Sequence, residues 1–290
     1  MVKSKMAHNT LNELSGSEWL FFTNTIWETN VPPDGTHAFR KCHGAIKPPA
    51  AMAELVRFFS RRGERVLDPF AGVGGILLGA DLEDRMGVGV EVDGRWVDVF
   101  NRIRREFRVR DKAFIKRARA EGELRAKGDG DVREIRAEIV CDSCLQYMAA
   151  QPAESFDAII TDPPYGVQHK TKGFADETNF SMFSSDARDF ANAPSFADYL
   201  KLMQEFGAHA HRVLAPKRYL VILIGDRYVQ GEYMPLGVHV AEAMRPAGFE
   251  LKGIKIWCNK ATLRPFRPYA VGTCFVPNIT HQNVVILRKK

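Results

Sequence analysis

Val66-Leu67-Asp68-Pro69-Phe70-Ala71-Gly72-Val73-Gly74-Gly75, continued by Ile76-Leu77-Leu78-Gly79-Ala80, reads as a short apolar strand, a glycine-rich turn and the start of a buried helix. Glycines there let the backbone approach a nucleotide-like ligand, and the helix start leaves amide N–H groups pointing at it. Downstream, Met86-Gly87-Val88-Gly89-Val90-Glu91 makes a second strand that ends in an acid. In dinucleotide-binding folds a carboxylate at that place grips ribose hydroxyls. Strand, turn, helix, strand and acid together are the spacing of a doubly wound sheet.

A second motif lies further along. Asp162-Pro163-Pro164-Tyr165 closes the apolar run Phe156-Asp157-Ala158-Ile159-Ile160-Thr161, which places a carboxylate, a rigid turn and an aromatic ring at the mouth of a buried strand. The prolines fix φ and give up their N–H groups, so nearby carbonyl oxygens remain for a ligand's donors. Tyr165 offers a stacking face. Asp-Pro-Pro is also an ordinary strand ending, and its weight comes from the glycine turn that accompanies it.

With both motifs in view, the chain resembles the S-adenosylmethionine-dependent amino-methyltransferases that modify the exocyclic amine of adenine or cytosine in DNA. The likeness rests on DPFAGVGG at 68–75, DPPY at 162–165 and HGAIKPPAAMAELVRFF at 43–59, with RVLAPKRYLVILIGD at 212–226 and THQNVVILRKK at 280–290 similar to the family's later strands. It spans roughly residues 40–290. Many members carry the tetrapeptide before the glycine motif. Here the order is permuted, and the site chemistry is unaffected.

The resemblance implies roles for particular residues. Asp162, Pro163, Pro164 and Tyr165 are the catalytic candidates: the carboxylate and a carbonyl of the proline turn accept the two hydrogens of the target amine, and the ring stacks on an extruded base. In the cofactor pocket Asp68 takes the amino-acid ammonium, and Pro69, Phe70, Ala71, Gly72 and Gly74 pass beneath the ligand. Glu91 holds the ribose, Asp142 with Ser143 approaches the adenine, and His43 and Lys47 support the methionine end. S-adenosylmethionine is the expected cofactor and DNA the expected partner. An Asp at the head of the tetrapeptide favours adenine-N6 over cytosine-N4. TDPPYG at 161–166 also looks like tRNA guanine methyltransferases, and a catalytically silent nucleic-acid-binding module is a third alternative.

Composition points the same way. The 290 residues carry a formal net charge of +6, which favours an anionic partner. From Arg95 to Arg119 there are ten Lys or Arg against three acids. Arg104, Arg108, Lys112 and Lys116 are the DNA-binding candidates of this stretch, read as a basic helical insertion over about 95–135 whose phosphate contacts would be salt-dependent. Two further loops are candidates for reading the target. One spans 166–194 with Lys170 and Lys172. The other spans 259–280 and mixes Lys260, Arg264 and Arg267 with Phe266, Tyr269 and Phe275, a charge-plus-aromatic blend.

No apolar run of membrane-spanning length and no signal-like start is expected, so the location implied is cytoplasmic or nucleoid-associated. Five cysteines suggest a reducing compartment. Cys141 and Cys144 have no second pair or spaced His, so no metal is expected. Strands are expected near 65–68, 86–91, 136–141, 156–161, 218–224, 250–257 and 283–289, and helices near 48–62, 74–82, 94–119, 195–214 and 233–247. This is an α/β chain, a doubly wound, seven-stranded, mostly parallel sheet of Rossmann-like methyltransferase type with an antiparallel closing strand. We read residues 1–290 as one domain, whether monomer or homodimer.

Overall fold

Ala158, Ile159 and Ile160 are all fully buried, although successive strand side chains point to opposite faces. A strand apolar on both sides belongs inside a sheet covered by helices, and the computed structural model shows that arrangement. It describes residues 9–118, 132–167, 184–229, 231–262 and 266–290.

In chain order the strands are β1 (Ile26–Thr29), β2 (Arg65–Asp68), β3 (Met86–Glu91), β4 (Phe107–Arg110), β5 (Ala113–Lys116), β6 (Arg133–Glu134), β7 (Glu138–Cys141), β8 (Phe156–Thr161), β9 (Leu214–Ile224), β10 (Arg227–Val229), β11 (Glu232–Met234), β12 (Phe249–Asn259) and β13 (Gln282–Lys289). Eight of them form one sheet in the order β1-β12-β13-β9-β8-β2-β3-β7. The run from β9 to β7 is parallel throughout. β13 is antiparallel to both β9 and β12.

One face packs Ile159, Leu220, Ile222, Val285 and Leu287 against Tyr199, Met203 and Phe206 of the helix Phe196–Val213. The other packs Ala158, Ile160, Val221, Leu223 and Val284 against Leu55, Val56 and Phe59 of the helix Pro49–Phe59. Each fully buried aliphatic or aromatic side chain contributes roughly 1.5–3 kcal/mol relative to exposure. Neighbouring residues of one strand thus hold opposite helical layers.

Three sequence expectations change in detail. The reversed strand is present but interior, because Val284, Val285 and Leu287 are apolar on both faces and fully buried. The outer place goes instead to an eighth strand, β1, parallel to β12 and fastened by Trp27 stacked on Trp257 with ring centroids 5.2 Å apart. The helix expected over 94–119 ends at Glu106. Beyond it Phe107-Arg108-Val109-Arg110 and Ala113-Phe114-Ile115-Lys116 pair as an antiparallel hairpin, turned by Asp111 and Lys112 at φ 47° and 56°. Positive φ at both central residues is the type I′ hairpin turn.

The helix Gly94–Glu106 starts beside the C-terminal end of β3 and runs back along the sheet. At 1.5 Å per residue, Arg104 lies about 15 Å from the helix start. Lys112 pairs with Glu83 at 2.7 Å, and Glu83 is the C-cap of the helix Gly75–Leu82. The described part of the basic stretch therefore leads towards the end of the sheet opposite the strand C-termini.

Candidate active site

Strand order reverses between β2 and β8: β3 and β7 extend the sheet on one side, β9 on the other. Ligands of open α/β sheets bind in the crevice beyond the carboxyl ends of strands at such a point. The pocket found there is walled by the loops that follow β2, β3, β7 and β8, together with residues 43–47 from the N-terminal side.

Asp68 ends β2. It is 2% exposed, and its Oδ1 accepts from Thr161 Oγ1 at 2.7 Å and from the Phe70 amide at 3.2 Å. Burial pushes its carboxyl up to about 7, with the charges of Asp162 and Glu91 adding to the rise. Glu91 ends β3 and accepts from the amides of Gly72 and Asp93, each at 2.8 Å. Burial also raises this carboxyl to about 7. Gly72 adopts φ 50°, and a Cβ at that position would stand 3.2 Å from His43 Nε2, so the backbone itself forms the wall.

His43 is packed edge-on to Trp96, with centroids 4.8 Å apart. Burial lowers its imidazole to about 4, which keeps it neutral, against the smaller opposing influence of Asp162 and the Ala45 backbone. Pro69, Phe70 and Ala71 complete the turn, and Gly74 N-caps the following helix at φ 77°. Asp142 follows β7, its amide donating to the Glu91 carbonyl at 3.0 Å, and Ser143 stands beside it on the wall. Every cofactor candidate except Gly74 lines the pocket directly.

The catalytic half is a connected network. Tyr165 OH donates to Asp162 Oδ1 at 2.8 Å and accepts from Gln282 Nε2 at 2.7 Å. Lys47 Nζ forms an ion pair with Asp162 Oδ2 and stands 3.4 Å from Tyr165 OH. Burial raises the Tyr165 phenol well above its usual range, and the adjoining Asp162 carboxylate raises it further. The Pro164 carbonyl is committed, accepting from Tyr199 OH at 2.8 Å and from the Gly166 amide at 3.0 Å. Pro163 also lines the pocket. Arg227 fixes the loop by donating to the carbonyls of Tyr165 and Val167 at 2.8 and 2.7 Å.

Several of these partners are not apparent in the sequence. Gln282, Tyr199 and Arg227 reach the tetrapeptide from distant positions and carry no local motif. Gly225 backs the Tyr165 ring: a Cβ on it would lie 2.8 Å from Tyr165 Cε2. Arg188, Asp189 and Phe190 close the side next to Asp142, with Arg188 NH1 3.5 Å from Asp142 Oδ1 and Phe190 edge-on to Phe70 at 5.0 Å.

The DNA-binding candidates are scattered. Arg108 is 9% exposed, with its guanidinium on the carbonyls of Arg104, Arg105 and Phe107 and on Glu134. Arg104 is partly buried and Lys116 exposed. Lys260 pairs with Glu28 at 2.9 Å. Arg267 roots a turn through reciprocal backbone bonds with the Asn278 side chain at 2.9 and 3.0 Å. Phe266 and Phe275 on that segment are 80% and 88% exposed, at the same end of the sheet as the pocket. Lys170, Lys172 and Arg264 lie outside the described residues. No helix among the described residues is long and apolar enough to cross a membrane, and no group of three or more His, Cys, Asp or Glu there could hold a metal ion.

The sequence matches the N6_N4 DNA methylase family over residues 3–102 and 156–290. The chain belongs to that family. It is 28% identical over 144 residues to the tRNA (guanine(10)-N2)-dimethyltransferase of Methanothermobacter thermautotrophicus, covering 50% of this chain and 34% of that protein. It is 32% identical over 83 residues to the Type II methyltransferase M.Cfr9I of Citrobacter freundii, covering 28% of this chain and 26% of that one. The chain thus spans about a quarter to a third of the length of the curated relatives it matches. Its fold is similar to that of TrmN from Thermus thermophilus, with a TM-score of 0.50 at 16% identity over 88% of this chain and 53% of that chain.

S-adenosylmethionine is the methyl donor that membership of this family implies. The residues present fit it. The pocket joins a glycine turn with no room for a side chain to two carboxyl groups at strand ends, the buried Asp68 and the half-buried Glu91, chemistry that suits an ammonium and ribose hydroxyls.

Proposed function

We propose that the protein transfers a methyl group from S-adenosylmethionine to the exocyclic amine of an extruded base in DNA, with adenine-N6 preferred. The observation that carries this reading is that Asp162, Pro163, Pro164 and Tyr165 line the same pocket as Asp68, the glycine turn and Glu91. The Asp162 carboxylate and a carbonyl of the proline turn suit the two hydrogens of one amine. That amine's lone pair is delocalised into its ring, and the chain must orient it and offset the positive charge that develops on nitrogen. The bound donor supplies an activated methyl group on a good leaving group, so alignment is the larger share of the work.

A base stacked in a duplex cannot reach this mouth, so extrusion is required. The 259–280 segment supports a nucleic-acid surface there: three basic residues, no acids and the exposed Phe266 and Phe275. Under this reading residues 1–290 act as one methyltransferase domain, with 95–135 a basic insertion and 166–194 and 259–280 facing the target. The gap in the family match between 102 and 156 supports the insertion. A second reading, methylation of a guanine amine in tRNA, is favoured by the similarity to the tRNA (guanine(10)-N2)-dimethyltransferase of Methanothermobacter thermautotrophicus.

One experiment separates these. Duplex DNA, single-stranded DNA and tRNA are incubated with labelled cofactor, digested to nucleosides and chromatographed. N6-methyladenine in DNA is the expected product. N4-methylcytosine alone overturns the choice of base, and label confined to tRNA guanine overturns the choice of nucleic acid.

A further inference from the structure

Asp162 has two oxygens, and both are occupied. Oδ1 accepts from Tyr165 OH at 2.8 Å, and Oδ2 is ion-paired with Lys47 Nζ. An ammonium and an exocyclic amine offer that oxygen the same thing, an N–H donor. Lys47 therefore stands where the target amine must go.

The pair is sheltered, with Lys47 8% and Asp162 15% exposed. A buried ion pair does not open unless another partner replaces the one lost. The root of the lysine shows where that partner arrives. A Cβ on Gly75 would stand 2.6 Å from the Lys47 carbonyl oxygen and 3.2 Å from Lys47 Cβ, so the residue is seated against the start of the helix that follows the glycine turn. Its backbone belongs to the cofactor half and its ammonium to the catalytic half.

Resting on the methyl-transfer reading above, we infer that Lys47 is a positioning residue that exchanges counter-ions: Asp162 in the free protein, the carboxylate of S-adenosylmethionine in the loaded one. The exchange releases Asp162 Oδ2 for the target amine. Cofactor binding then precedes engagement of the base, because without the cofactor the acceptor is filled. It also leaves Asp162 with its full negative charge at the moment the amine nitrogen turns positive.

Calorimetry without any nucleic acid tests the exchange. S-adenosylhomocysteine carries the carboxylate, and 5′-methylthioadenosine has the same adenosine part without it. Asp162→Asn frees Lys47, so affinity for S-adenosylhomocysteine rises at least threefold while that for methylthioadenosine is unchanged. Lys47→Met weakens S-adenosylhomocysteine about tenfold, again sparing methylthioadenosine, and Lys47→Arg restores much of the loss. In the double variant the gain from Asp162→Asn disappears. A gain that persists in the Lys47→Met background, an equal change with both ligands, or no gain at all overturns the exchange. If Lys47→Met does not fold, the Asp162→Asn comparison of the two ligands still decides, and Lys47→Arg supplies the second variant. Since no acceptor is present, a wrong choice of DNA, tRNA or base leaves these results untouched and shows only in the nucleoside analysis.

Discussion

The two halves of the pocket treat carboxylates in opposite ways. On the cofactor side Asp68 and Glu91 sit with backbone amides and a hydroxyl for company, and no cation is among the causes that shift them. On the catalytic side Asp162 has its cation already, in Lys47. A buried carboxylate without a counter-charge is costly to ionise, so the first half is poised for a ligand that brings donors and positive charge. The second half is satisfied until something displaces the lysine. The contrast separates residues that hold from a residue that is held in reserve.

The largest effect should come from breaking the catalytic half alone. Asp162→Ala removes one acceptor of the developing charge and should lower the turnover rate about 10²- to 10³-fold, while calorimetry still finds S-adenosylhomocysteine bound. Loss of binding in place of rate would merge the two halves. Gly225→Ala comes next. Its new Cβ would fall 2.8 Å from the Tyr165 ring, and the displaced ring should cost about tenfold or more in turnover, with cofactor affinity unchanged.

The cofactor half is read through pH. Asp68 and Glu91 keep their protons up to about pH 7 in the folded protein, above where the unfolded chain releases them. Between the two ranges the folded state binds more protons, so the stability these groups contribute is complete at acid pH and lost as pH rises through about 7. Melting of the free protein should shift down by several degrees from about pH 5.5 to about pH 8, and Asp68→Asn should flatten that slope. S-adenosylmethionine, which brings an ammonium, should raise the melting temperature more at the alkaline end. The smallest effect is expected furthest away. Lys116→Ala, on the hairpin beyond Glu106, should change DNA affinity by less than about twofold, and Lys260→Ala, at the pocket end, should change it more. A salt-dependent binding assay ranks the pair.

What could be read in advance follows from how local each feature is. The glycine turn, Glu91 and the tetrapeptide sit in short segments whose residues contact one another, so their order and spacing already describe the crevice. The hairpin after Glu106 was also written locally, in the alternation of Phe107 and Val109 with arginines and the apolar run Ala113–Ile115, but the helical spacing that precedes it runs into Phe107 and hides the change of period. β1 could not be found the same way. Ile26–Thr29 is a strand because β12 is beside it, and although Ile26, Trp27 and Thr29 favour strands, four residues are too few to announce one. Lys47 and Gln282 reach the catalytic tetrapeptide across more than 110 residues each, and only the folded sheet reveals the contact.

β13 has a consequence for the making of this molecule. Its slot lies in the middle of the sheet, flanked by strands completed earlier in the chain, and its first residue, Gln282, anchors the phenol of Tyr165. During synthesis β9 must wait with an unpaired edge of Val221, Ile222 and Leu223 until residues 282–289 emerge, and such an edge invites aggregation. A chain that stopped before residue 282 would leave that edge bare and the Tyr165 phenol without its amide partner.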